Sequence, residues 1–241
     1  MLSERSRQIR RDTITLSHAN GGYHYGGCFS ATEILIALFD SVLQHGEDQF
    51  ILSKGHACWP YYVLLRELGL NPDLAGHPSR DPHNGVPCTT GSLGHGFPLA
   101  VGMALAKKAK GESGYVFVLM GDGECQEGTT WESLLIANNY RLDNLVVVVD
   151  WNGIQGSGRV DEVLPLDGFC RAAQSVGWDV AKIDGHNPDQ IISACISRGL
   201  PRLVIAETVK GKGISFMENQ PEWHAKWPSI DEHRTMLEEL A

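Results

Sequence analysis

Two kinds of apolar pattern alternate along the chain. Uninterrupted apolar runs are typical of strands that are buried on both faces of a sheet, whereas an apolar residue at every third or fourth position predicts an amphipathic helix. The predicted strands are 50–53, 115–120, 145–150, 178–183 and 202–208, and the predicted helices are 3–20, 30–43, 61–68, 98–110, 128–141, 167–176 and 188–198. This alternation predicts an α/β fold, a parallel sheet with helices on both faces, as a single domain over residues 1–241.

Local signals refine these boundaries. Ser30 followed by Glu33 has the spacing of a capping box and predicts a helix start at Ser30. Asn187 before Pro188 predicts the start of a helix that runs to 198. Between residues 69 and 97 the apolar periodicity disappears. So long an irregular connection in a compact domain is usually functional or disordered.

Polar residues directly follow two of the predicted strands. Gly121, Asp122 and Gly123 come after one apolar run, and Asn152 comes after the next. Ligands bind at the carboxyl ends of strands in such sheets, and glycines let the backbone approach a ligand closely. Asp122, Asn152 and the carbonyl group of Ile154 offer oxygen ligands, which suit Mg²⁺ or Ca²⁺ bound to a diphosphate. Each of these two motifs by itself is more often an ordinary turn. The presence of both, at the ends of successive strands, favours a metal–diphosphate site.

The composition narrows the class of protein. A formal net charge of −9 argues against general binding of nucleic acid or of an anionic membrane. The six cysteines are far apart and form no C-x-x-C pair, as in reduced cytosolic proteins. No signal core and no run of about 18 apolar residues occurs, so we expect a cytoplasmic protein without a membrane segment. P-loop and dinucleotide-binding glycine motifs are absent, and no Cys/His spacing indicates zinc.

Several motifs together resemble one enzyme family. The stretch GDGECQEGTTWE…DNLVVVVDWNGIQG is similar to the thiamine-diphosphate fingerprint, in which an Asn follows GDG about thirty positions later. GCFSATEIL, ILSKGHA, AGHPS, TTGSLGHG, GWDVAKIDGH and ETVKGKGISFMENQPEWH resemble transketolase segments in the same order, from about residue 5 to 240. The resemblance implies the N-terminal, diphosphate-binding domain of a transketolase, with thiamine diphosphate and Mg²⁺ (or Ca²⁺) as cofactors.

The resemblance also implies roles for individual residues near the cofactor. Asp122, Asn152 and the Ile154 carbonyl would ligate the metal, and the Gly123 amide would contact a phosphate. Glu127 corresponds to an acidic residue at the subunit interface. The remaining expected cofactor contacts are Gly121 in the fingerprint and Gly91, Leu93 and Gly94 near the aminopyrimidine ring.

Four of the ten histidines match family histidines. His56 and His224 correspond to those around the diphosphate and the reactive carbon. His24 and His77 correspond to those that hydrogen-bond the hydroxyl and carbonyl groups of the ketose donor. Imidazole suits these tasks because it donates hydrogen bonds and moves protons near neutral pH. We expect ordinary surface positions for His18, His45, His83 and His233, and solvated charges rather than phosphate contacts for Lys210 and Lys212.

A transketolase also has a pyrimidine-binding domain, which carries an activating glutamate, and a third domain. This chain ends at Ala241, so we expect the N-terminal subunit of a split enzyme. It would join a separate C-terminal subunit in a heterotetramer, with two copies of each chain. The complex would transfer a two-carbon ketol unit from a ketose (phosphate) to an aldose or other aldehyde.

Three alternatives stay open. They are a subunit of a decarboxylating 2-oxo-acid or deoxyxylulose-phosphate-synthase-like enzyme, a biosynthetic transferase with a non-sugar acceptor, and a non-catalytic cofactor-binding domain. Tyr23, Ser79 and Ser157 depart from the family pattern and affect the expected substrate more than the expected cofactor.

Overall fold

The strands form one parallel sheet and one small hairpin in the computed structural model, which describes residues 2–196 and 199–241. The strands are β1 (Gln49–Leu52), β2 (Val116–Gly121), β3 (Leu145–Trp151), β4 (Ile154–Gln155), β5 (Gly158–Arg159), β6 (Asp179–Asp184) and β7 (Arg202–Glu207). The five long strands are parallel, in the order β1-β2-β3-β7-β6, and β4 pairs with β5. All five predicted strands are present, and the predicted α/β class with a parallel sheet is confirmed.

Helices connect these strands and cover both faces of the sheet. They are α1 (Glu4–Ala19), α2 (Tyr25–Ser30), α3 (Thr32–Ala37), α4 (Cys58–Glu67), α5 (Gly96–Lys110), α6 (Gly128–Asn139), α7 (Val160–Val163), α8 (Phe169–Ser175), α9 (Pro188–Ala194) and α10 (Ile230–Glu239). Valines of β3 alternate between two apolar layers: Val146 and Val148 face one layer, and Val147 and Val149 face the other. This burial on both faces is the physical reason for the uninterrupted apolar runs.

The predicted capping box at Ser30 is wrong. Ser30 is the last residue of α2, and α3 begins at Thr32. The Ser30 hydroxyl donates to Asp150 Oδ2 at 2.5 Å, and the Glu33 carboxylate pairs with the buried Arg10. Both side chains therefore have charged partners from distant parts of the chain, and these prevail over a local cap.

The C-terminal part of the chain departs from the prediction at α9 and α10. Asn187 caps α9 as predicted, through a bond from Gln190 N at 3.2 Å. Helix α9 ends at Ala194, and the predicted end at 198 lies outside the described residues. Helix α10 is absent from the prediction, although Ser229 and Glu232 form a capping box at its start. None of the described helices is long and apolar enough to cross a membrane.

Candidate active site

The GDG corner lies at the carboxyl end of β2, beside the end of β3. Gly121 pairs with Asp150 in the sheet register. The Asp122 carboxylate is buried and accepts backbone N–H bonds from Gly123 at 2.7 Å and from Gly153 at 2.5 Å. Burial and the nearby charge of Asp150 raise the pKa of Asp122 to about 6, although these two hydrogen bonds lower it. This carboxylate is therefore held between two strand ends. A bound cation there would offset the free-energy cost of burying its negative charge.

Asn152 is held by its neighbours on β3 and α2. Its Nδ2 group donates to Asp150 Oδ2 at 3.2 Å and to Ser30 Oγ at 3.4 Å, and its Oδ1 accepts from Ile154 N at 3.1 Å. The amide nitrogen thus points to an acceptor, which leaves the oxygen for a cation. Asp122, Asn152 and Ile154 line the same cavity of about 290 Å³.

The donor set fits a hard cation. A carboxylate, an amide oxygen and a backbone carbonyl are the ligand types that Mg²⁺ and Ca²⁺ take in proteins. Within residues 2–196 and 199–241, no three His, Cys, Asp or Glu side chains cluster as a metal site. A metal here would accordingly depend on Asn152 and the Ile154 carbonyl as well as on Asp122.

The loop with the three predicted ring-contacting residues is tied to this corner by Glu124. Leu93 lines the cavity, and Gly94 donates its N–H to Glu124 Oε1 at 2.9 Å. Glu124 also accepts from Gly121 N at 3.3 Å and from the Ser53 hydroxyl. Gly91 has a φ of 136°, a conformation that favours glycine. Sequence reasoning missed Glu124, because a Glu after GDG looks like any turn residue until its burial is known.

The four predicted site histidines lie together. The ring of His24 lies 5.5 Å from that of His56, 6.0 Å from that of His77 and 5.7 Å from that of His224, centroid to centroid. The rings of His56 and His224 are 5.1 Å apart. Residues separated by up to 200 positions in the sequence are therefore neighbours. Of the four, His56 and His224 line the cavity together with Asp122 and Asn152.

Burial keeps three of these imidazoles neutral near pH 7. It lowers the pKa of His24 to about 4, helped by His77 and Lys210, and that of His224 to about 3, helped by Lys210. Burial and the charge of Lys54 hold the pKa of His56 well below its usual range. Each neutral ring thus has one donor and one acceptor nitrogen.

The other predicted histidines lie away from the cleft. His18, His45 and His83 are exposed, as expected for surface residues, and His233 is partly buried against His18, with a ring separation of 4.3 Å.

Glu127 is exposed and immediately precedes α6. The exposed position of Glu127 leaves it open to a second chain.

Two buried lysines were not predicted in the site. Lys54 forms an ion pair with Asp150, and both side chains are almost completely buried. The solvated position expected for Lys210 is wrong: its side chain is 1 % exposed, and Nζ donates to the Ile154 carbonyl at 2.8 Å and lies 3.0 Å from His224 Nδ1. Burial and the charge of Lys54 lower the pKa of Lys210 to about 8. Lys212 is more exposed and pairs with Glu218.

Residues 3–237 match the family described as "Transketolase, thiamine diphosphate binding domain". The chain belongs to this transketolase family. It is 38% identical to one subunit of the apulose-4-phosphate transketolase of Actinobacillus succinogenes, across 99% of this chain and 95% of that protein. It is 34% identical to the 6-deoxy-6-sulfo-D-fructose transketolase subunit SqwG of a Clostridium species, across 92% and 90% of the two chains.

Solved transketolases share the fold. The transketolase of Campylobacter jejuni superimposes with a TM-score of 0.86 at 26% identity, and the match covers 98% of this chain and 42% of that one. The chain thus spans less than half of this longer transketolase. The predicted family and its thiamine-diphosphate-binding domain are confirmed. Of the three departures from the transketolase pattern, Ser157 lines the cavity, Tyr23 stacks on His24 at 4.2 Å, and Ser79 is exposed.

Proposed function

We propose that this chain is the N-terminal subunit of a two-component transketolase that moves a two-carbon ketol unit from a ketose (phosphate) donor to an aldose or other aldehyde acceptor. The observation that carries the proposal is the grouping of His24, His56, His77 and His224, of which His56 and His224 line the cavity at the ends of β2 and β3. Two relatives of nearly the same length are named as transketolase subunits, which supports a divided enzyme.

The cofactor would be thiamine diphosphate with Mg²⁺, or with Ca²⁺ in its place. Asp122, Asn152 and the Ile154 carbonyl would hold the metal, and the Gly123 amide would donate to a phosphate. Once bound, the cofactor would supply a thiazolium that acts as an electron sink for cleavage of the ketose. Lys210, whose Nζ contacts the Ile154 carbonyl and His224 rather than a carboxylate, supplies local positive charge that an anionic ligand needs in a protein with a net charge of −9.

The histidines would act on the substrate side of the cleft. An ammonium only donates hydrogen bonds, so the 3.0 Å contact from Lys210 makes His224 Nδ1 an acceptor and places the ring proton on Nε2. His224 can therefore donate from Nε2 to an oxygen in the cleft. His24 and His77 would hydrogen-bond the hydroxyl and carbonyl oxygens of the donor, and His56 would act with His224 near the reactive carbon.

The partner would be a C-terminal subunit with the pyrimidine-binding domain. We infer a heterotetramer that contains a homodimer of this chain, with the exposed Glu127 at an interface between chains. Gly91, Leu93 and Gly94 would face the aminopyrimidine ring, which the partner completes. All six cysteines are free, which supports a reducing, cytoplasmic setting.

The test is reconstitution with the pyrimidine-binding partner chain. We expect the complex to bind thiamine diphosphate in a Mg²⁺-dependent manner in calorimetry and to transfer ketol units from a ketose phosphate to an aldose phosphate. His77→Ala should reduce turnover far more than cofactor affinity. A complex that binds the cofactor but releases CO₂ from a 2-oxo acid without ketol transfer would support the decarboxylating alternative. A complex that binds no thiamine diphosphate would refute the proposal.

A further inference from the structure

A buried charged cluster lies outside the cleft, where α1, α3 and the turn after β6 meet. The Glu33 carboxylate is 5 % exposed and accepts from both terminal nitrogens of the buried Arg10, at 2.7 and 2.9 Å. His186, in the turn between β6 and α9, places Nδ1 2.8 Å from Glu33 Oε2. Ser6 also donates to Glu33. Every partner of Glu33 is thus a donor, which fixes the carboxylate in place.

His186 hydrogen-bonds to Glu33 with one ring nitrogen and to the Val209 backbone with the other. The Val209 backbone N–H donates to His186 Nε2 at 2.8 Å. Because a backbone amide can only donate, Nε2 carries no proton, and the ring proton resides on Nδ1 and is donated to Glu33. The neutral imidazole therefore connects a buried carboxylate to the backbone of a different loop.

That loop carries a cleft residue. Val209 immediately precedes Lys210, whose Nζ contacts the Ile154 carbonyl and His224. On the other side of Lys210, the Lys212 carbonyl accepts from Arg10 Nε at 2.8 Å. The cluster thus holds the backbone on both sides of Lys210. Arg10 Nη2 also donates to the Phe29 carbonyl at 2.8 Å, in the helix that follows His24.

We propose that Arg10, Glu33 and His186 form a positioning unit that fixes Lys210, and through it His224, against the cofactor cleft. None of the three lines the cavity, so they act through the backbone of Val209 and Lys212. Cleft groups must be held within about 0.5 Å of their working positions by the residues behind them, and this cluster is the buried support for that loop. The inference rests on the proposed function only for the identity of the ligand.

Two variants of His186 separate positioning from plain stability. His186→Asn keeps a donor where Nδ1 lies, so Glu33 stays paired, but it is too short to accept from Val209. His186→Gln is long enough to accept from Val209. Loss of one hydrogen bond to a neutral group corresponds to about a three- to tenfold change in an equilibrium. We therefore expect His186→Asn to weaken thiamine diphosphate binding by about three- to tenfold and His186→Gln to recover most of that loss.

The first measurement needs no cofactor. Hydrogen exchange of the peptide around Val209 and Lys210, followed by mass spectrometry, should be about three- to tenfold faster in His186→Asn than in the unaltered chain and near normal in His186→Gln. Equal exchange in all three proteins would overturn the inference, whatever the ligand of the cleft.

The second measurement titrates the reconstituted complex with thiamine diphosphate and Mg²⁺ and follows tryptophan fluorescence, since Trp223 adjoins His224. If the unaltered complex binds and His186→Asn binds equally well, only the positioning role fails. If the unaltered complex does not bind, the proposed function fails, and the exchange result alone decides the positioning role. A lower melting temperature in His186→Asn with unchanged affinity would show that the cluster only stabilises the fold.

Discussion

Replacing Lys54 by Met should strongly destabilise the fold, because it removes the counter-charge of a carboxylate that has no access to water. Asp150 is 0 % exposed and Lys54 is 1 % exposed. In the variant, Asp150 retains three neutral donors, the hydroxyls of Ser30 and Thr208 and the amide of Asn152. Methionine fills the space of the lysine stem without the charge, so the perturbation is electrostatic rather than a cavity.

The magnitude follows from this burial. Breaking a buried ion pair by removing one partner costs about 3–5 kcal/mol. In a domain of this size, each kcal/mol lowers the melting temperature by about 2–4 °C. Lys54→Met should therefore melt about 6–20 °C below the unaltered chain. The assay is thermal unfolding followed by circular dichroism without cofactor, because a bound ligand would add its own stabilisation.

Two matched variants make the result interpretable. Lys182 pairs with Glu207 at 2.8 Å, but both side chains are more than half exposed, so Lys182→Met should cost less than about 1 kcal/mol. Adding Asp150→Asn to Lys54→Met removes the uncompensated charge at constant shape and should restore most of the lost stability. If Lys54→Met melted as high as Lys182→Met, the buried pair would not be what holds Asp150, and the account of how Asn152 is oriented would fail with it.

Three further results are expected. Asp122→Asn should abolish Mg²⁺-dependent binding of thiamine diphosphate to the reconstituted complex in calorimetry, because it removes the only negative ligand of the proposed set. Burial raises the pKa of Glu33, but the hydrogen bond from His186 and the charge of Arg10 outweigh it and lower that pKa below the ordinary 4.5. Glu33→Gln should consequently be less stable than the unaltered chain at pH 7 in urea unfolding, and the difference should shrink as the pH falls below about 4.5. Gly94→Ala should destabilise the chain, since φ is +81° and the added Cβ would lie 2.7 Å from the Cβ of Glu127.

Each of these has an outcome that contradicts it. Unchanged Mg²⁺-dependent affinity in Asp122→Asn would remove this residue from the metal site. A stability difference for Glu33→Gln that stays constant from pH 7 to pH 3 would show that folding does not lower the pKa of Glu33. For Gly94, the matched control is Gly102→Ala on the exposed side of α5, where nothing lies within 4 Å of the new Cβ. The control should gain about 0.5–1 kcal/mol, and an equal gain in Gly94→Ala would disprove the close approach to Glu127.

The sequence by itself determined the strands and their order of appearance, because burial on both faces of a sheet leaves a direct mark as an apolar run. It also determined that Asp122 and Asn152 lie at the same edge of the sheet, since each follows a strand and parallel strands end at one edge. The grouping of His24, His56, His77 and His224 came from the family resemblance, and nothing in the local sequence around each one indicates it.

Only the tertiary structure decided which charged side chains are buried and what they bind. Lys54 pairs with Asp150 across 96 positions, and His186 pairs with Glu33 across 153. No local pattern encodes such distances. At Ser30 and Glu33 the local pattern favoured a cap worth about 1 kcal/mol, whereas breaking the pairing of the buried Arg10 with Glu33 would cost several. The larger energy decides, and the Glu33 carboxylate neutralises Arg10 instead of completing a capping box with Ser30.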